Sequence, residues 1–150
     1  MAILNRNAQV LVIDDNPGDV RLLSEAFLQI NAHVSLRVAS DGAEGLRIIF
    51  ESAAREGWRP DFILLDLNLP KISGHEVLAK LKSHPEKRQI PVIVLSSSRL
   101  ETDIARAYES HANAYIRKPT SLDGLMNAVR GLKSFWIDTV RLPTGSVLDG

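Results

Sequence analysis

Three short runs, Val10-Leu11-Val12-Ile13, Phe62-Ile63-Leu64-Leu65 and Val92-Ile93-Val94-Leu95, are apolar at every position. A strand with one face in water alternates apolar and polar residues, whereas an unbroken apolar run fits a strand covered on both faces, as in a parallel sheet flanked by helices. Between the runs, apolar residues recur at helical spacing: Val20, Leu22, Leu23, Ala26, Phe27 and Ile30; then Leu46, Ile49, Phe50 and Ala53; then Val77, Leu78 and Leu81; then Ile104, Ala105, Ala107 and Tyr108. A weaker strand at Ser35 to Ala39, a last strand at Ala114-Tyr115-Ile116 and a final helix bearing Leu122, Leu125, Met126, Val129, Leu132 and Phe135 complete five strand–helix units. Stop and start signals fall between them. Asp41 can cap the second helix, Gly57 stops it, Ser73-Gly74 after Pro70 opens the third, His84-Pro85 closes it, and Thr120 or Ser121 can cap the fifth. The alternation predicts an α/β fold, a doubly wound five-stranded parallel sheet with helices on both faces.

Composition limits what such a sheet can do. With 150 residues, 45% hydrophobic and 24% charged, the chain has enough apolar side chain for one sizeable core, so one folded unit is expected. Formal net charge is zero, and since nucleic acid or an anionic membrane would favour a basic face, neither is expected as a partner. The absence of cysteine excludes disulfides, thiolate catalysis and cysteine-based zinc sites. His33, His75, His84 and His111 are scattered without metal-ligand spacing and read as surface or packing residues. No basic-then-apolar leader opens the chain, and no apolar stretch approaches the ~20 residues that span a bilayer, so a cytoplasmic location is expected. Gly42, Gly45 and Gly57 do not compose a dinucleotide-binding turn, and there is no Walker-type lysine loop.

Acid gathers at strand ends instead. The first run leads into Asp14-Asp15 and the second into Asp66. Ligands of an open parallel sheet bind outside the carboxyl ends of its strands, so these three acids are expected to converge. Two carboxylates ~4 Å apart repel by roughly 4 kcal/mol at an effective dielectric of about 20, so a bound cation is what makes the cluster tolerable. The third run leads into Ser96-Ser97-Ser98 and the last strand into Arg117-Lys118-Pro119. A carboxylate that attacks phosphorus, Mg²⁺ and a lysine that neutralise the equatorial oxygens, and a hydroxyl that donates to one of them form a set suited to phosphoryl transfer. Singly, each residue has an ordinary reading. Asp15 can cap the helix that begins at Pro17, Ser96 can serve a turn, Lys118 can be a solvated loop lysine, and Tyr115, Trp58 and Trp136 can pack.

Asp14-Asp15, Asp66, Ser96 and Lys118-Pro119, in that order at the ends of different strands, closely resemble the receiver domain of bacterial two-component response regulators, over roughly residues 8 to 138. The resemblance implies a flavodoxin-like sheet with strand order 2-1-3-4-5. It implies Asp66 as phosphoacceptor, with Mg²⁺ as cofactor. Asp15, Asp66 and the main-chain carbonyl of Asn68 would be direct ligands, and Asp14 would act mainly through metal-bound waters. Ser96 would be the switch hydroxyl, Lys118 the phosphate-binding cation and Tyr115 the aromatic that changes rotamer on activation. Serine stands at position 96 where threonine is commoner in the family, which keeps the hydroxyl and loosens its rotamer. Asp15-Asn16-Pro17-Gly18-Asp19-Val20-Arg21, Leu65-Asp66-Leu67-Asn68-Leu69-Pro70, His111-Ala112-Asn113 and Ser134-Phe135-Trp136 are similar to the small stand-alone regulators that partner cyanobacterial and bacterial phytochrome kinases.

The expected function is therefore a signalling switch and not an enzyme with an external substrate. A sensor histidine kinase, in the resembling subgroup a phytochrome, passes its phosphoryl group to Asp66. The surface around the fourth helix, fifth strand and fifth helix then binds a downstream protein. The alternative is a Mg²⁺-dependent phosphatase or phosphotransferase with an aspartyl-phosphate intermediate. Against it, phosphohydrolases of the haloacid dehalogenase type place a D-x-D pattern after the first strand, where this chain has adjacent aspartates. Residues 1–140 are expected to form the receiver domain and 141–150 a tail, with no output domain. In the fifth helix, Leu122 to Leu132 already supply the ~100° stripe that a surface helix buries, and Phe135, Trp136 and Ile137 then sweep roughly 200° more. Either the tail, with Leu142, Val147 and Leu148, folds back over that excess, or a homodimer covers it.

Overall fold

The computed structural model describes residues 7–143. Strands β1 (Ala8–Ile13), β2 (Val34–Ala39), β3 (Phe62–Leu65), β4 (Val92–Ser96) and β5 (Ala114–Arg117) form one sheet in the order β2-β1-β3-β4-β5, parallel at every pairing. Helix α1 is Pro17–Gln29, α3 is Gly74–Ser83 and α4 is Glu101–Glu109. Helix α2 begins as Gly42–Arg47, widens into a π-helical segment at Ile48–Ser52 and ends as Ala53–Glu56; α5 (Leu122–Leu132) runs on into a second π-helical segment, Lys133–Ile137.

Successive strand residues point to opposite faces, and here both faces are dry. On one, Leu11, Ile13, Ile63, Leu65, Val92 and Val94 pack against Ile48 and Ile49 of α2, Val77, Leu78 and Leu81 of α3, and Ala107 of α4. On the other, Val10, Val12, Phe62, Leu64, Ile93 and Leu95 meet Leu23, Ala26 and Phe27 of α1 and Met126, Val129 and Leu132 of α5. Each Val, Leu, Ile, Phe or Met among them contributes about 1.5–3 kcal/mol by leaving water, which is why the three unbroken apolar runs become the three central strands.

The helix starts are set by side-chain caps. Asn16, not Asp15, caps α1, its Oδ1 accepting from Asp19 N at 3.0 Å. Asp41 caps α2, Ser73 caps α3, and of the two candidates at α5 Ser121 is the one used. Gly57 ends α2 in the left-handed region, at φ 68°, where a side chain would be strained. At the far end of α5, Trp136 and Ile137 lie partly buried on the second core and Leu142 packs beside them, while Phe135 stays 52% exposed. The chain thus covers two of its three consecutive apolar residues itself. Val147 and Leu148 lie outside the described residues, as does the tail from residue 144 onward. No helix among the described residues is long and apolar enough to cross a membrane.

Candidate functional site

Register brings the acids together. Ile13 pairs with Leu65, so the next residues, Asp14 and Asp66, leave neighbouring strands side by side. Asp66 N donates to Ile13 O at 3.0 Å and Asp14 N to Ala39 O at 3.1 Å, continuing both ladders one residue past the strands. The strand order reverses direction between β1 and β3, and the crevice at such a switch point is where open α/β sheets bind ligands. Carboxylate oxygens of Asp14, Asp15 and Asp66 lie within 4.8 Å of one another. Asp14 and Asp66 are buried, and Asp15 is exposed at the rim.

Lys118 is delivered from the edge of the sheet. Ser96 pairs with Arg117, and Lys118 N donates to Ser96 O at 2.8 Å, so the backbone there is fixed before the side chain sets out. Its Nζ lies 2.8 Å from Asp14 Oδ2, 2.8 Å from Asp66 Oδ2 and 2.9 Å from Asp19 Oδ2. Burial alone would lower the lysine pKa, but hydrogen bonds to Asp14, Asp66 and Asp19 outweigh it and hold the group above its ordinary value. For Asp14 burial dominates and raises the carboxyl pKa, with Lys118 and the Asn16 N–H opposing. The two buried acids are held alike. One oxygen of each takes a backbone N–H two residues on, Asn16 N to Asp14 Oδ1 at 2.9 Å and Asn68 N to Asp66 Oδ1 at 3.1 Å, and the other oxygen faces Lys118.

Ser96, fully buried at the end of β4, accepts from Ser98 N at 3.3 Å. Tyr115 is partly buried against the first core, and its hydroxyl donates to Ser98 O at 3.0 Å. Asn68 is exposed beyond β3. Sequence reasoning overlooked two contributors. Asp19, which the sequence offers only as part of a motif, lies one turn past the Asn16 cap and supplies the third acceptor for Lys118. His75, read as a surface or packing residue, is buried with Nε2 3.3 Å from Asp103 Oδ1.

An all-oxygen set with two buried carboxylates and a third at the rim fits a hard divalent cation that keeps some of its water. Together with a lysine between the acids and a buried hydroxyl at the next strand end, it defines a class: parallel-sheet phosphoacceptor modules. The chain belongs to the response regulator receiver domain family, whose sequence profile matches residues 10–130. The response regulator Rcp1 of Synechocystis sp. strain PCC 6803 is 39% identical over 135 residues, spanning 89% of this chain and 92% of Rcp1. Among solved structures, the phosphorylated cyanobacterial phytochrome response regulator RcpA matches with a TM-score of 0.85 and 40% identity over 92% of this chain and 99% of RcpA. The Mn²⁺-bound form of Rcp1 matches with a TM-score of 0.83 and 38% identity over 91% of this chain and 99% of that one.

Proposed function

We propose that this protein is a phosphorylation switch: a sensor histidine kinase transfers a phosphoryl group to Asp66, and the altered surface engages a downstream protein. The observation that carries the reading is Lys118 Nζ at 2.8 Å from both Asp14 and Asp66, a half-buried cation beside a buried nucleophile. In the transfer, the P–N bond of a phosphohistidine breaks as a carboxylate oxygen of Asp66 forms a new P–O bond. Lys118 neutralises an oxygen of the incoming group, and the Ser96 hydroxyl, which accepts from Ser98 N through a lone pair, donates its own proton to another. Asp14, Asp15, Asp66 and the carbonyl of Asn68 would hold Mg²⁺, which supplies further charge neutralisation of the phosphoryl oxygens. Tyr115 would change rotamer once its contact with Ser98 is released.

The likeness to Rcp1 and to a phytochrome response regulator supports a phytochrome as the upstream kinase. A second copy of this chain is a further partner, through a surface at the end of α5 that includes the exposed Phe135. The protein turns over no external substrate. Incubation with acetyl phosphate and Mg²⁺ tests this: transient, stoichiometric labelling is expected, lost in Asp66→Asn. Steady hydrolysis of the donor without accumulated label would mark a phosphatase, and absence of labelling would reject both. Phosphotransfer profiling against a panel of histidine kinases that includes a phytochrome then tests the partner.

A further inference from the structure

The first turn of α3 rests directly on the phosphoacceptor. Gly74 N donates to Leu67 O at 2.9 Å, and a Cβ at Gly74 would lie only 2.2 Å from Asp66 O. The next residue, His75, is 7% exposed, yet its imidazole is not mere filling. Its Nε2 meets Asp103 Oδ1, in the first turn of α4, at 3.3 Å. A carboxylate only accepts, so Nε2 donates to it, and the buried Nδ1 has no hydrogen-bond partner among the described residues. Asp103 uses its other oxygen to accept from Ser98 Oγ at 2.5 Å, and the Ser98 and His75 hydrogen bonds hold its carboxyl pKa below the ordinary range. Ser98 is where the loop between β4 and α4 is tied together. Its N–H goes to Ser96 Oγ, its carbonyl takes the Tyr115 hydroxyl, and its own Oγ accepts from Leu100 N at 3.3 Å.

We propose that His75 is a positioning residue for the switch: through Asp103 and Ser98 it holds the β4–α4 loop, and with it the hydroxyls of Ser96 and Tyr115, in the resting arrangement. The proposal deepens the phosphorylation reading above and rests on it. A contiguous path then runs from the backbone of Asp66 through Gly74, His75, Asp103 and Ser98 to Tyr115. Both ends of that path have discrete alternatives, a phosphorylated or free carboxylate and a bound or released tyrosine. Cutting the path at any of its members is what releases the tyrosine.

The chain has two tyrosines, Tyr108 and Tyr115, so 3-fluorotyrosine labelling gives two ¹⁹F resonances, assigned with Tyr108→Phe. In the wild type, beryllofluoride with Mg²⁺ should displace the Tyr115 resonance. In His75→Leu that resonance should already lie displaced toward the activated position without beryllofluoride, and acetyl phosphate labelling should change by about 2- to 30-fold. His75→Gln, whose amide nitrogen reaches close to the place of Nε2, should restore both readouts. Ser98→Ala cuts the same path in a loop, needs no core repacking, and should reproduce the Leu phenotype without adding to it. If His75→Leu does not fold, the Gln and Ser98→Ala variants decide alone. The proposal is overturned by a Tyr115 resonance unmoved in Ser98→Ala, by His75→Gln behaving as His75→Leu, or by fully additive effects. A wild type that neither labels nor responds to beryllofluoride overturns the phosphorylation reading itself. A responsive wild type with silent variants removes only the role of His75.

Discussion

At Lys118 one ammonium group answers three carboxylates, and the arrangement explains why Asp14 and Asp66 tolerate their burial. Removing one member of a buried ion pair leaves the others without a counter-charge. Lys118→Ala is therefore expected to label at least ~10²-fold more slowly with acetyl phosphate, the scale on which loss of one preorganised charge contact acts. Asp66→Asn keeps the side-chain shape and removes the attacking charge; it should fold, with a far-ultraviolet circular dichroism spectrum like the parent, and take no label. Persistent labelling of Asp66→Asn would remove Asp66 from its role. Asp15 stands exposed at the rim, so Asp15→Asn should leave stability within about 0.5 kcal/mol while abolishing Mg²⁺ binding measured by calorimetry. Unchanged Mg²⁺ affinity would refute the ligand assignment. The strand-end acids and Lys118 were legible in the sequence because an unbroken apolar run announces where its strand stops, and the next polar residue inherits the crevice. Asp19 was not, because it sits in the first turn of α1 and not at a strand end, so nothing in the apolar pattern assigns it to the crevice.

At the scale of elements, the closest tolerance is at the start of α3. A methyl group at Gly74 would meet Asp66 O at 2.2 Å and Leu67 Cα at 2.5 Å, both backbone atoms that cannot rotate away. Gly74→Ala should cost about 3 kcal/mol in urea unfolding and slow phosphorylation, since relief requires moving the strand end that carries Asp66. An unchanged midpoint would show that the loop is softer than this packing implies. The strands, helices and most caps followed from apolar spacing and from Asp, Ser and Gly at the right places, whereas the π-helical segments did not. Both occur where apolar residues run consecutively, Ile48-Ile49-Phe50 and Phe135-Trp136-Ile137. A π turn closes i to i+5 and narrows the angle between successive side chains, so Ile48 and Ile49 can both face the core. A periodicity search set to 3.6 residues per turn does not register that. The contact of Asp103 with Ser98 and His75 was equally hidden, and it carries an acid dependence. Its folded-state pKa is depressed, so its stabilisation is present above the unfolded value of about 3.9 and is lost as pH falls through the folded one. The stability gap between wild type and Asp103→Asn should therefore narrow below about pH 4, and a gap constant across that range would disprove the contact's contribution.

For the whole molecule, the open question is how many copies make the working switch. The two cores are closed by the chain's own helices, and Trp136, Ile137 and Leu142 complete the second, which leaves Phe135 as the apolar side chain presented at the end of α5. Burying one aromatic contributes about 1.5–3 kcal/mol, while a micromolar dimer needs about 8 kcal/mol. Phe135 alone is therefore insufficient, and the resting protein is expected to be monomeric at ~10 µM. The neighbouring α4–β5 surface offers more, with Leu100 and Tyr108 also exposed, and it is the surface that release of Tyr115 from Ser98 would remodel. A homodimer is thus expected with beryllofluoride and Mg²⁺, seen as a doubled mass in light scattering and reversed by Phe135→Asp. A standard interface of about 800 Å² per partner is large enough to reach from α5 to β5. A monomer at every concentration with and without beryllofluoride, unchanged on deleting the residues after Arg141, rules the dimer out. A dimer that Phe135→Asp does not weaken would place the interface elsewhere on the molecule.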